Sequence, residues 1–216
     1  MPSRMLITVA VAGALAGVGA LVFFVTRPET GPAPGKVRAE RTSALYAPIA
    51  SRRDDPRPLS EAEVFGPAAT TSSSGAIMRR RQVTVSSDCS QALWGSGPTA
   101  AAAGCAQVVR ASFASADGGV SGQYAVFDMP DGGSADRLVD ALGARAGEGF
   151  LRLAPGQPAS FDAGHSRAEV RALGHFVVVN WVGPVGDEGR ADLTLPQVAL
   201  EALGGFVQRR VLAASG

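Results

Sequence analysis

Along residues 167–173 the chain reads RAEVRAL, setting Ala168, Val170 and Ala172 against Arg167, Glu169 and Arg171. A period of two marks a strand with one face buried. Gly174 permits a turn, and HFVVVNWV at 175–182 is a β-branched second strand. QVVRASFAS, ADGG and VSGQYAVFDM, residues 107–129, predict a further hairpin around a turn-forming tetrapeptide. Between the two hairpins the period lengthens to that of a helix. In DGGSADRLVDALGARAG (131–147) Ser134 is a suitable N-cap, Leu138, Val139, Ala141 and Leu142 share a face, and Gly147 ends the run. A last helix begins at Thr194, with Gln197 completing a capping box. Leu195, Val198, Ala199, Ala202, Leu203 and Phe206 form its expected buried face, and Arg209 and Arg210 suit the dipole at its C-terminal end.

Upstream the signals are shorter. Val83 and Val85 alternate with polar residues for one short strand, preceded by Arg79, Arg80 and Arg81 as a solvated charge run. Asp88 and Gln91 frame a helix through SQALW, with Cys89 on its first turn and Trp94 covering the core. Ser60 and Glu63 have capping-box spacing for a short helix over 61–65. The expected order is strand, Cys-bearing helix, hairpin, helix, hairpin, helix. Four antiparallel strands with helices on one face, a two-layer α+β domain over residues 82–216, is the natural solution. Residues 26–81 read as a tether and loosely structured segment: TRPETGPAPGKVRAERTSA (26–44) is polar and proline-bearing, LYAPIA (45–50) offers apolar docking residues, and AATTSSSG (68–75) is a flexible loop by composition.

Residues 5–25, MLITVAVAGALAGVGALVFFV, carry no charge and a single polar side chain, Thr8. As a helix they would rise about 31 Å, enough for a hydrocarbon core of about 30 Å. The stretch exceeds a secretory h-region, and prolines in TRPETGPAP crowd the cleavage zone, so residues 1–25 read as an uncleaved transmembrane signal anchor in the cytoplasmic membrane. Its Gly13-xxx-Gly17 spacing is expected by chance in a span so rich in small residues. Arg4 precedes the span, while Arg27, Lys36, Arg38 and Arg41 follow it, a bias that taken alone places the tail inside. The short N-terminus and the cysteines argue the other way, and the expectation is a single-pass protein with an extracytoplasmic C-terminal domain.

Cys89 and Cys105, the only cysteines, bracket a Gly/Ala/Pro-rich loop and read as one structural disulfide. They lack the Cys-x-x-Cys spacing of a redox pair, and with His165 and His175 they match no zinc pattern. A formal charge of +1 gives no reason to expect a nucleic-acid surface. One lysine against nineteen arginines, among many Ala and Gly, is the coding bias of a high-GC bacterial genome.

GHSRA at 164–168 has the outline of a hydrolase nucleophile turn around Ser166. That turn needs a buried strand before the serine, a helix after it, and an acid then a histidine later in the chain. Here GQPASFDA precedes it, a period-two segment follows, and His175 is the only later histidine. A polar residue at the start of a strand is the better reading. His165 and His175 lie at opposite ends of that strand, too far apart for one metal. Asp128 and Asp131 flank Pro130, just before Gly132, and read as turn formers, and Asp136 and Asp140 lie on the solvated side of a helix. No phosphate loop, dinucleotide fingerprint, metal set or cofactor site is indicated.

LYAPIA, DCSQALWG, GCAQVVRASF, GQYAVFDM, GHSRAEVRALGHFVVVNWVG and FVQRRVL together resemble a group of uncharacterised actinobacterial membrane-anchored proteins, over most of residues 45–212. In architecture the chain is also similar to the outer sensor domains of mycobacterial receptor kinases, without a kinase domain. The expectation is therefore a non-enzymatic, membrane-anchored domain that binds or senses a protein or envelope ligand. The alternatives are an envelope serine hydrolase using Ser166 and a structural assembly subunit.

Overall fold

A computed structural model describes residues 30–67, 70–73, 75–144, 148–186 and 191–216. The expected span at 5–25 and the helix stop at Gly147 lie outside these residues. Among the described residues no helix is long and apolar enough to cross a membrane.

The two hairpins form as their alternation predicts. β5 (Gln107–Ser115) pairs antiparallel with β6 (Val120–Asp128), and β8 (Arg167–Leu173) with β9 (Phe176–Pro184). Gly174, at φ +68°, makes the β8–β9 turn, and a Cβ there would meet the Ile49 carbonyl oxygen at 2.4 Å. β6 and β9 pair with each other in the middle of a seven-stranded, mostly antiparallel sheet. Its order is β1-β8-β9-β6-β5-β3-β2, where β1 is Lys36–Glu40, β2 is Thr70–Ser73 and β3 is Ala76–Ser86.

The fold is α+β, with more strands and more coverage than the sequence predicted. β6 and β9 are buried along their whole length, on both faces. One face carries Ala125, Phe127, Val177, Val179 and Trp181 beneath α2 (Ser96–Ala101), α3 (Gly132–Gly143), the 3-10 turn Cys89–Ala92, and a small ribbon of β4 (Leu93–Trp94) with β7 (Phe150–Leu151). The other carries Val126, Phe176, Val178 and Val182 beneath α1 (Glu61–Phe65), α4 (Thr194–Glu201), α5 (Gly205–Ala214) and the 3-10 turn Ala44–Ile49. Helices on one face only would have left one side of β9 in water, and the six valine, phenylalanine and tryptophan residues in HFVVVNWV are too apolar for that.

The tether expected over 26–81 is replaced, from Pro32 onward, by integral structure. The Trp94 indole N–H donates to the Pro32 carbonyl (2.9 Å), and β1 pairs in parallel with β8, Lys36 opposite Arg167 through Glu40 opposite Arg171. Ile49 is fully buried. KVRAE is too polar to signal a strand, because it takes its place by backbone pairing at the edge. Likewise Thr70–Ser73, expected as loop, pairs with Ala76–Arg79 of β3. The Ser60–Glu63 cap forms, the Ser60 hydroxyl accepting from the Glu63 N–H at 3.2 Å. The other caps move. Asp131, not Ser134, caps α3, accepting from the Ser134 N–H (2.7 Å). Leu193 stands at the N-cap of α4, where Thr194 makes no side-chain cap bond. The SQALW helix is one 3-10 turn followed by β4, and Trp94 is buried as expected. In the charge run, Arg80 is docked: its guanidinium lies 5.7 Å from the Phe65 ring centroid and donates to the Gly66 carbonyl.

Cys89 and Cys105 are joined in a disulfide, with Cα atoms 6.2 Å apart. A disulfide of this kind belongs to an oxidising, extracytoplasmic compartment.

Candidate functional site

Register on the second face of the sheet builds a polar row where apolar residues would be expected. Arg38 of β1 lies opposite Glu169 of β8, Glu169 opposite Asn180 of β9, and Asn180 opposite Tyr124 of β6. Beside it runs a second row, Glu40, Arg171 and Val178. Because one strand face holds every second residue, these side chains all point toward α4 and α5. Between those helices the chain passes through a 3-10 turn, Ala202–Gly204, whose small residues leave the rows uncovered.

The result is a cleft of about 540 Å³, walled by Glu40, Arg41, Leu45, Tyr46, Arg171, Leu173, Glu201 and Val207 among others. A smaller chamber of about 40 Å³ adjoins it, sharing Arg171, Leu173, Glu201 and Gly204 as walls and reaching Tyr124, Glu169 and Asn180. Tyr124 and Asn180 are 1% and 2% exposed. The Tyr124 hydroxyl and the Asn180 side-chain oxygen have no hydrogen-bond partner in the structure, whereas the Asn180 amide nitrogen donates to the Gln197 carbonyl (2.9 Å). Buried polar atoms are seldom left so, since each costs about 1–3 kcal/mol.

The charges around the chamber are largely paired. Arg171 meets Glu169 (2.8 Å) and Glu40 (3.2 Å), and Glu40 also meets Arg38. Glu201 is held instead against the Glu169 carboxyl. Burial, together with a hydrogen bond and repulsion from Glu169, raises its pKa above the ordinary glutamate value. Burial also raises the Tyr124 phenol, which stays protonated.

A second buried polar group lies at the far end of β6 and β9. Arg210 is 1% exposed and its guanidinium donates to both Asp55 oxygens (2.8 and 2.9 Å) and both Glu63 oxygens (2.5 and 2.7 Å). This corrects its expected place at a solvated helix end. Nearby, His175 Nδ1 lies 2.7 Å from the Ile49 carbonyl, and its Nε2 lies 3.5 Å from Asp128. Burial pushes the Asp128 carboxyl up to about 6 and the His175 imidazole down. Asp128 is therefore a buried strand-end residue, not a turn former.

Ser166 is 2% exposed and fully engaged: its hydroxyl donates to the Ala163 carbonyl (2.6 Å) and accepts from the Trp181 indole N–H (2.6 Å). His165 turns outward onto Asp162 (2.6 Å) and His175 is held in the other cluster, so no base reaches Ser166. This geometry speaks against a serine nucleophile. Asp136 and Asp140 are not simply solvated: Asp136 accepts from the Thr42 N–H and Asp140 takes Arg41 in two bonds, fastening the chain after β1 to α3. Among the described residues no cluster of metal-binding type occurs.

The sequence did carry a signal for the cleft. Asn180 interrupts a β-branched run, and Glu169 and Arg171 repeat on one face of β8. Read locally these make a solvated face; only pairing puts them beside Tyr124. Comparison with family models, curated proteins and solved structures finds no match.

Proposed function

We propose that this chain is a non-enzymatic binding or sensing domain, anchored in the cytoplasmic membrane through residues 5–25 with its domain outside, and that the cleft beside Glu201 takes its protein or envelope ligand. The observation that carries the reading is the pair of buried, unpartnered atoms, the Tyr124 hydroxyl and the Asn180 oxygen, at the inner end of an open cleft. A concave site with a few converging polar groups is the usual form of a ligand pocket. The disulfide supports the outer location, and the apolar length of residues 5–25 supports the anchor. The resemblance to actinobacterial membrane-anchored proteins agrees with both.

A photocrosslinking residue at Leu45, on the exposed rim of the cleft, tests the reading in living cells. The same residue at Val85, an exposed position on β3 away from the cleft, is the control. A discrete adduct from position 45 that is absent from position 85, and lost when Gly204→Leu fills the chamber, is the expected result. Identical products from both positions would remove the cleft as the binding site.

A further inference from the structure

The chemistry of the chamber narrows what the cleft can take, on the footing that it is the binding site. One Asn180 amide N–H donates to the Gln197 carbonyl, and the Asn180 side-chain oxygen has no partner. Glu169 and Glu201 are acceptors when ionised, and the Tyr124 hydroxyl can accept as well as donate. A guest that donates several hydrogen bonds would satisfy these acceptors at the inner end. Charge adds a second condition. Arg171 is matched by Glu169 and Glu40, Arg38 by Glu40, and Arg41 by Asp140, while Glu201 lies against the Glu169 carboxyl and is favoured only by the already shared Arg171 and Arg38. Three carboxyls, Glu40, Glu169 and Glu201, beside two arginines, Arg38 and Arg171, lack one positive charge. Size adds a third: about 40 Å³ accepts a group of one or two heavy atoms, not a ring. The outer cleft, with Leu45, Tyr46, Leu173 and Val207, accommodates an apolar or mixed remainder.

We infer that the cleft binds a primary amine, its ammonium group seated between Glu201, Glu169, the Asn180 oxygen and the Tyr124 hydroxyl. An ammonium has three N–H donors and a full positive charge on a compact head, which meets all three conditions. A water molecule would satisfy the hydrogen bonds but leave Glu201 without a cation of its own. The ammonium takes the place of the proton that burial and the Glu169 carboxyl favour on Glu201. Affinity therefore rises with pH as Glu201 titrates; the titratable and charged groups around it are Glu169, Glu40, Arg38, Arg41, Arg171 and Tyr124.

The chain has only two tyrosines, Tyr46 on the outer wall and Tyr124 at the inner end. Ring-carbon labelling of tyrosine in the purified full chain thus gives two resonances that report the two depths of the cleft. Methylammonium chloride is the probe, against tetramethylammonium (charge without N–H donors), glycerol (donors without charge) and sodium chloride at equal ionic strength. Methylammonium should move the Tyr124 resonance saturably and the other three should not. Glu201→Gln should weaken the response at least about tenfold, as loss of one full charge at contact distance implies. Gly204→Leu should abolish it; a Cβ at Gly204 lies 3.6 Å from the Tyr124 oxygen, at a helical φ of −64° that any residue adopts. If glycerol moves Tyr124 and methylammonium does not, the cleft remains a binding site and the amine class falls. An unchanged methylammonium response in Glu201→Gln also overturns the assignment. If no probe moves either resonance, the chamber holds water alone and both the inference and the cleft reading fall.

Discussion

Replacing the Ser166 hydroxyl by hydrogen strands the Trp181 indole N–H in the core, where no other acceptor is at hand. Ser166→Ala should therefore lower stability by about 1–3 kcal/mol in urea denaturation, the usual cost of an orphaned buried donor. In the same sample a serine-reactive fluorophosphonate should leave the wild-type chain unlabelled. Labelling that disappears in Ser166→Ala would restore the hydrolase reading. At Asp128 the effect is one of pH. The folded protein keeps this carboxyl protonated up to about 6, whereas an unfolded chain releases the proton near about 3.9. The stabilisation is thus complete at the acid side and is lost as pH rises from about 4 to about 6. His175 acts oppositely: its imidazole is depressed by burial, so its contribution is lost as pH falls below about 6.5. Comparing wild type with Asp128→Asn at successive pH values isolates the first effect. The wild type should lose about 1–3 kcal/mol relative to the variant across that window. A pH-independent difference would mean that Asp128 titrates normally.

The last two helices show how a face can be misjudged from its period alone. Leu195 and Val198 were expected inside, yet they are partly exposed, while Pro196, Gln197, Ala199 and Leu200 point at the sheet. The sheet beneath is polar at Asn180, which needs a partner, and the Gln197 backbone and side chain supply one. That requirement turns the helix by about one residue, or roughly 100°. On α5, beyond the break at Ala202–Gly204, Arg210 also faces inward, where its five donors bind Asp55, Glu63 and the carbonyls of Arg57 and Pro58. This guanidinium fastens residues 55–63 to α5. Arg210→Met should cost about 3 kcal/mol, since it leaves the buried Asp55 and the partly buried Glu63 without the cation they share. Arg210→Lys should recover little, because one ammonium cannot span both partners. Recovery to near wild-type melting with lysine would show that charge alone, not the fork of donors, holds the segment.

At the scale of the molecule, one covalent link closes the 16-residue interval from Cys89 to Cys105, tying the turn before β4 to the start of β5. Removing it as Cys89→Ser with Cys105→Ser should lower stability by about 3 kcal/mol in the chain-entropy account. Equilibrium unfolding with and without reductant checks the figure. In intact cells, an impermeant maleimide should label the cysteines only after an impermeant reductant; labelling that needs lysis and no reduction would place the domain inside.

Local patterns on their own determined the two hairpins, α3 and the capped turn at Ser60, because each depends on neighbours a few residues apart, and the pairing of the cysteines followed from there being only two. The α+β class followed from their order. The tertiary structure alone decided the rest. β1 is a strand only because β8 offers it an edge, and β6 and β9 are covered twice only because residues far apart in the chain pack on both faces. Glu169, Asn180, Tyr124 and Glu201 come from four separate elements, each unremarkable in its own segment. Their meeting depends on strand register and on the break between two helices, long-range features that no local pattern encodes.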